Sequence, residues 1–329
     1  MRTIALFNNK GGVGKTTLVY HLAHMFSRLG YPALAVDLDP QANLTSAFFD
    51  DDRLENLWSE EVDTILACVS PILEGTGDIK VVSPIQAGEA LWVIAGDLGL
   101  SRFEDKLSAS WAGGFNEDPA ALRATSSFHR ITVQAAASVG AEVILFDVGP
   151  NLGAINRAAL LAADFLLIPL AADLFSLQGL KNLGPTVRDW RTKWRRVREF
   201  VSGRTNIDLP RGEMAPAGYV VLQHAVRLDR PVKAYARWLG RIPAVYREAV
   251  LGEEYGWPER NLEDEHCLAT LRNYRSLMPM AQEARKPMFD LKPADGAIGS
   301  HAQLVNTCLL EFSRLADRVA QVCGLALRS

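Results

Sequence analysis

No run of about 18 uninterrupted apolar residues occurs in the 329-residue chain, which excludes a hydrophobic membrane-spanning helix. Cysteine is scarce. The four present, Cys68, Cys267, Cys308 and Cys323, are scattered and never take C-x-x-C spacing. That scatter excludes a disulfide framework and a cysteine metal centre, and reads as reduced, buried thiols in a cytoplasmic protein. An apolar run begins at residue 3, so the expectation is that no signal peptide precedes it. Internal repeats and low-complexity tracts are not evident. Excess positive charge is absent too: the formal net charge is −3, so nucleic-acid contact must come from a local patch. What remains is a chain long enough for a sizeable core, either one large α/β domain or a domain carrying insertions.

Residues 8–17 read Asn-Asn-Lys-Gly-Gly-Val-Gly-Lys-Thr-Thr. This is a phosphate-binding loop of the G-x-x-x-x-G-K-[ST] type, compressed so that Lys10 sits inside it beside Gly11 and Gly12. A strand-like stretch over 3–7 feeds it and a helical pattern follows from near Thr16, which is the context the motif requires. Glycines there let consecutive backbone N–H groups turn toward one point and wrap a phosphate. The following helix adds the positive end of its dipole. The loop residues Gly11, Gly12, Val13, Gly14, Lys15, Thr16 and Thr17 form the nucleotide cradle. Lys15 can reach β- and γ-phosphates, Thr16 can offer its hydroxyl to Mg²⁺, and Thr17 can touch the α-phosphate.

The pattern K-G-G-V-G-K-T-T from Lys10 to Thr17 resembles the deviant Walker A motif of the ParA/MinD group of ATPases. The resemblance implies ATP and Mg²⁺ as cofactors. It also implies that Lys10 reaches across a homodimer to the nucleotide of the partner, as an arginine finger does. Residues 33–45 resemble the family's V-D-x-D-P-Q-x-N segment; by that match Asp39 positions the attacking water and Asp37 supports the magnesium shell. Lys10, Lys15 and Asp39 are thus the implied catalytic set. Residues 142–150 take the Walker B form, with Asp147 implied to hold Mg²⁺ through a water. The family shows D-x-P-P here, whereas this chain has Asp147-Val148-Gly149-Pro150, a departure expected to loosen the following loop. Residues 168–180, 272–275 and 281–289 resemble the segments after Walker B and at the close of the fold, the last of which helps enclose the adenine. The related nitrogenase iron protein is disfavoured, because the cysteines are not placed to hold a cluster.

Apolar strands are expected at 3–7, 33–37, 91–95, 142–147, 164–169 and 217–222. Helical patterns fall at about 15–29, 120–138, 153–162, 177–201, 232–250 and 301–323. This alternation predicts an α/β fold, a mainly parallel twisted sheet flanked by helices, with ligands at the carboxyl ends of the strands. The resemblance makes it a P-loop NTPase, SIMIBI-like, one ATPase domain over 1–329 with inserted segments at about 48–90 and 225–270. The first insertion opens on an acidic cluster (Asp50, Asp51, Asp52, Glu55, Glu60, Glu61, Asp63). The second mixes a basic helix with an acidic tail (Glu253, Glu254, Glu259, Glu263, Asp264, Glu265). Segments of this length carry their own structure or a partner surface.

The helix at 177–201 has an apolar face at three- and four-residue steps, flanked by a row of Arg188, Arg191, Arg195 and Arg198. Gly184-Pro185 is expected to kink or interrupt it. The arginine row suits a phosphate backbone, or else a solvated face paired with the acidic insertions; a second candidate patch is Arg227, Arg230, Lys233, Arg237 and Arg241. ParA-type proteins bind nonspecific DNA as ATP dimers, so the resemblance implies a homodimer, nonspecific DNA and a ParB-like or cargo adaptor as partners, with partition of a cargo as the function. The alternatives are a MinD-like membrane-cycling ATPase and a metabolic ATP-dependent enzyme on the same fold. The tail from His301 to Ser329 is amphipathic but carries only Arg314, Arg318 and Arg328 as cations, which suits a core-docking helix better than a membrane anchor.

Overall fold

Strand–helix alternation resolves into one eight-stranded sheet in the computed structural model. It describes all residues except 61–62, 82, 223–231, 255–263, 275, 327 and 329, and the side chains of 60 and 232–235. The strands are β1 Arg2–Leu6, β2 Ala33–Asp37, β3 Ile85–Gly88, β4 Leu91–Ile94, β5 Val143–Asp147, β6 Phe165–Leu170, β7 Ala215–Leu222 and β8 Cys267–Leu271. Their order is β3-β4-β2-β5-β1-β6-β7-β8. Every pairing is parallel except β3 with β4 at one edge. The central strands are continuous apolar runs because a parallel sheet is covered on both faces.

The helices are α1 Lys15–Arg28, α2 Asn43–Phe48, α3 Asp51–Glu60, α4 Ile65–Glu74, α5 Phe103–Gly113, α6 Pro119–Thr125, α7 Ser127–Val139, α8 Ala154–Ala162, α9 Leu174–Val201, α10 Val232–Leu239, α11 Ile242–Tyr246, α12 Leu277–Ala284 and α13 Ser300–Val322. Alternate strand residues divide them into two layers. Ala5, Leu34, Val36, Ile144, Phe146 and Ile168 pack under the layer that contains α4 to α9 and α11. Ile4, Leu6, Ala35, Val143, Leu145 and Leu167 pack under α1, α2, α3, α12 and α13. The tail helix α13 buries Cys308, Phe312, Leu315 and Val319 in this second core, as a core-docking helix does. No described helix is long and apolar enough to cross a membrane.

The expected strands and helices stand where the sequence places them, with five differences. The helix expected at 120–138 is two helices meeting at the buried Ser126, whose hydroxyl donates to the Leu122 carbonyl (2.7 Å) and whose backbone lies at the edge of the helical region (φ −90°, ψ 0°). The helix expected at 232–250 breaks at Gly240 into α10, α11 and a π-turn over Arg247–Leu251. Conversely, α9 runs unbroken through Gly184-Pro185. Gly184 is there for another reason: a Cβ would lie 1.8 Å from the Ala249 carbonyl oxygen, so only glycine lets α9 cross the 242–251 segment at backbone contact. The insertion at 48–90 is built into both cores, through Ile65, Val69 and Ile72 on one face and Leu54 and Leu57 on the other. The edge strands β3 and β8 escape the pattern reading altogether. Glu61, Arg227, Arg230, Glu259, Glu263 and Arg275 lie outside the described residues, as do the side chains of Glu60 and Lys233.

Candidate functional site

β1 delivers the chain to the loop at its carboxyl end. Gly12 (φ 70°) and Gly14 (φ 88°) take left-handed backbone that side-chain-bearing residues rarely adopt. Gly14 then caps α1, and Lys15 is the first helical residue. A cleft of about 630 Å³ opens over this junction. Its phosphate end holds Gly11, Lys15, Thr16, Thr17, Asp39 and Pro150, and its other end holds Tyr20, Ala47, Met278 and Gln282. Lys15 is buried; burial pulls its ammonium below the ordinary value, while the charges of Asp147 and Asp39 act the other way.

Asp37 and Asp147 are register partners at the ends of β2 and β5, and both are wholly buried. Burial, and then the charge of Asp37, push the Asp147 carboxyl well above its usual range. Neither Asp147 oxygen has a partner in good hydrogen-bond geometry among the described residues, although the nearby Thr16 hydroxyl and Lys15 ammonium favour its charged form. A buried carboxylate without such a partner is costly unless something cationic satisfies it. Asp37 is different. One of its oxygens accepts from the Thr45 amide (2.8 Å) and hydroxyl (2.7 Å), the other from the Asp39 amide (3.3 Å). The Gly96 amide in turn donates to the Thr45 hydroxyl (2.7 Å), and a Cβ on Gly96 would come 2.7 Å from Asp37 Cγ. Burial raises the Asp37 pKa against these hydrogen bonds. Asp37 therefore anchors the 39–45 turn, and Asp147 lies buried beside Thr16 and Lys15 of the loop.

Within that turn Asp39 accepts from the Gln41 amide (3.0 Å), and the buried Ala42 sits in left-handed backbone (φ 50°). The loop after Asp147, expected to be loosened by Gly149, is pinned. The Asn156 amide donates to the carbonyls of Gly149 (2.9 Å) and Asn151 (2.6 Å), and Glu104 accepts from the first amides of α8 (2.5 and 2.9 Å).

Lys10 is turned the other way. Its backbone amide donates to Asn8 (2.9 Å), whose side chain donates to the Pro169 carbonyl (2.7 Å). Its ammonium pairs with Asp173, the N-cap of α9, with the Phe175 ring 5.9 Å away. The α9 surface meets the loop so closely that a Cβ on Gly179 would come 2.6 Å from the Asn9 side-chain oxygen.

Sequence reasoning missed Thr45, Gly96, Asp173 and His21. His21 Nδ1 donates to the Thr17 carbonyl (2.7 Å) and its Nε2 accepts from the Met288 amide (3.0 Å), which fixes the neutral tautomer and ties the loop helix to the closing segment. Burial depresses its pKa to about 4. The arginine row is spent largely on the protein itself. Arg188 donates to the Ala249 and Val250 carbonyls, Arg191 to Met214 (2.5 Å) and Arg198 to Arg211 (3.1 Å), while Arg195 projects into solvent. In the second patch, Arg237 and Arg241 both lie over the Trp238 ring.

With this geometry in view, likeness to known proteins can be placed. Protein IncC of Escherichia coli is 30% identical over 197 residues, 59% of this chain and 47% of that protein. The chromosome-partitioning ATPase Soj of Thermus thermophilus is 31% identical over 191 residues, 58% of this chain and 63% of that one. The chain thus spans between about half and two thirds of these curated relatives. The solved structure of protein DIP2308 from Corynebacterium diphtheriae superposes with a TM-score of 0.72 over 98% of both chains, at 25% identity. The family model described as an AAA domain covers residues 1–198, the stretch that holds the loop, all three aspartates and most of the sheet. The chain belongs to this AAA_31 family and is similar to the partition ATPases of the ParA type.

Proposed function

We propose that the chain is a ParA-like ATPase that binds ATP with Mg²⁺, pairs with a second copy across two nucleotides, and hydrolyses ATP to position a DNA or protein cargo. The observation that carries this reading is the buried Asp147 carboxylate, without a well-aligned hydrogen-bond partner among the described residues, beside Lys15 behind a left-handed glycine loop. A lone protein carboxylate suits Mg²⁺, which keeps waters and shares phosphate oxygens rather than filling a protein cage. No cluster of three or more metal-ligating side chains occurs among the described residues. Thr16 and Asp147 would hold the ion, and Asp37 would support them through the turn it anchors. When bound, the ion neutralises charge on the β- and γ-phosphates.

The protein's own part is positioning. Lys15 and the loop amides fix the phosphates, Asp39 orients the water, and Lys10 from the second copy meets the charge that develops on the transferring group. Met278, Gln282 and Tyr20 leave room for the base. DNA is the proposed matrix and a ParB-like or cargo adaptor the proposed second partner. Arg195 is the member of the arginine row best placed for a phosphate backbone, since three others already serve carbonyls. Arg191 is unsuited to test this, because its guanidinium is half-buried against Met214.

Sedimentation velocity with ATP, then with added DNA, tests the reading. The expected result is a dimer only with ATP, which co-sediments with DNA in a sequence-independent, salt-sensitive way. Arg195→Glu with Arg198→Glu should remove DNA retention and spare the dimer. A monomer at every ATP concentration would overturn the sandwich dimer, and full DNA retention by the double variant would move the patch elsewhere.

A further inference from the structure

Asp39 orients the attacking water if the reading above holds, yet among the described residues its carboxylate accepts only from the Gln41 amide (3.0 Å), two positions along the same turn. Its place must be set through the backbone. We propose that Thr45 is a positioning residue for Asp39, acting through Asp37, and that the inserted helix α3 braces it through Trp58. This rests on the role proposed above for Asp39, and it gives the segment at 48–90 a part in turnover.

The Thr45 hydroxyl has one proton and donates it to Asp37 Oδ2 (2.7 Å), so its oxygen is left to accept from the Gly96 amide (2.7 Å). Thr45 is wholly buried, and no water stands ready to replace either bond. One oxygen of Asp37 also takes the Thr45 amide (2.8 Å) and the other takes the Asp39 amide (3.3 Å). Both ends of the 39–45 turn are therefore tied to one carboxylate, whose orientation Thr45 fixes. Between them Ala42 holds left-handed backbone (φ 50°), a strain that persists only while its surroundings enforce it. Released from Asp37, the turn would relax and carry Asp39 with it.

The brace comes from the insertion. Gly96 uses both backbone groups: its amide serves Thr45, and its carbonyl accepts from the Trp58 indole N–H (3.1 Å). On either side of Gly96, the Ala95 carbonyl accepts from the Ile65 amide (2.8 Å) and Asp97 accepts from the Thr64 hydroxyl (3.0 Å). α3 and the start of α4 thus grip the 95–97 corner from two directions, while Leu54 and Leu57 bury α3 in the second core. Indole, corner, hydroxyl and carboxylate form one chain from the insertion to the turn that carries Asp39.

Thr45→Val keeps the shape and removes the hydroxyl. Steady-state turnover of the full-length chain with ATP and Mg²⁺, beside titration with a fluorescent ATP analogue, separates chemistry from binding. The expected result is a kcat roughly a hundredfold lower, as for a positioned group displaced by about 1 Å, with nucleotide affinity held within about twofold. Thr45→Ser keeps the hydroxyl and should restore most of kcat, which a role for the methyl group alone would not allow. Trp58→Phe loses only the indole donor and should lower kcat roughly fivefold, with no further loss when added to Thr45→Val. In the Asp39→Ala background, Thr45→Val should leave the residual turnover unchanged, which places its effect on Asp39. Should Thr45→Val fail to fold, Trp58→Phe decides alone. Wild-type kcat in both variants overturns this proposal, and so does a parallel loss of affinity and turnover in Thr45→Val. Full turnover by Asp39→Ala overturns the role of Asp39, and this proposal with it.

Discussion

Asp37, Asp147 and His21 are buried titratable groups of opposite sense, and acid should set them against one another. His21 is held neutral, with a folded pKa of about 4 against an unfolded value of about 6.5. Unfolded chains therefore take up its proton first, and its contribution to stability is present above pH 6.5 and drains away as pH falls toward 4. Its full loss is up to about 3 kcal/mol. The two aspartates run the other way: their folded pKa values are raised, so the cost of their charge, present at neutral pH, is relieved as pH falls into the ordinary carboxylate range. Asp37→Asn should accordingly lose stability more steeply between pH 7 and 5 than the wild type, by about 1–2 kcal/mol. Urea midpoints at the two pH values check this, and parallel slopes would refute it. In the chemistry, Lys15→Ala should abolish tight ATP binding, whereas Asp39→Ala should keep binding and lose turnover; equal loss of nucleotide affinity in both would show that Asp39 has another role. Lys15, Asp39 and Asp147 were legible because each lies in a contiguous motif. Thr45, Gly96 and Asp173 were not, since each matters only through a neighbour brought to it by the fold: Gly96, just past β4, meets Thr45 of α2, and Asp173 meets Lys10 across 163 residues.

Among the elements, α9 shows both what periodicity reveals and what it hides. Its apolar steps from Leu177 to Val201 are buried as the spacing requires. The expected break at Gly184-Pro185 does not occur, because proline removes one helical hydrogen bond and tertiary packing on both sides outweighs that loss. Opposite effects are thus expected at adjacent positions. Gly184→Ala drives a methyl into the Ala249 carbonyl and should cost about 3 kcal/mol in denaturant unfolding. Pro185→Ala, at an exposed site, restores an amide and should raise stability by about 1 kcal/mol. A neutral Gly184→Ala would mean that the helix crossing is looser than the contact implies. The edge strands β3 and β8 were illegible for a different reason: β3 is four residues long without a buried side chain, and β8 has interrupted burial, so neither writes a clear pattern.

At the scale of the whole molecule, alternation in the sequence was enough for a mainly parallel sheet but silent on strand order, which depends on crossovers rather than on local pattern. The proposed dimer has its own test at this scale. Lys10→Ala and Asp39→Ala should each be inactive alone. Mixed, they place both lesions in one composite site and none in the other, so partial turnover should return; demonstrable mixed dimers without any turnover would end the trans role of Lys10. The backbone contact at Gly184 then has a mechanical meaning. It is a fulcrum: with a rise of about 1.5 Å per residue, α9 extends about 15 Å from it toward the phosphate loop and about 26 Å beyond it. Movement at the loop end would be magnified about 1.7-fold at the far end by those arms. Faster amide exchange over 210–214 on adding nucleotide is the expected sign, and unchanged exchange would mean a helix that does not pivot. Because Arg191 and Arg198 lash that arm to the carbonyls of Met214 (2.5 Å) and Arg211 (3.1 Å) about 10 and 21 Å from the fulcrum, a shift of about 1 Å at the loop would become about 0.7 and 1.4 Å there, enough to unmoor Arg198 while Arg191 holds.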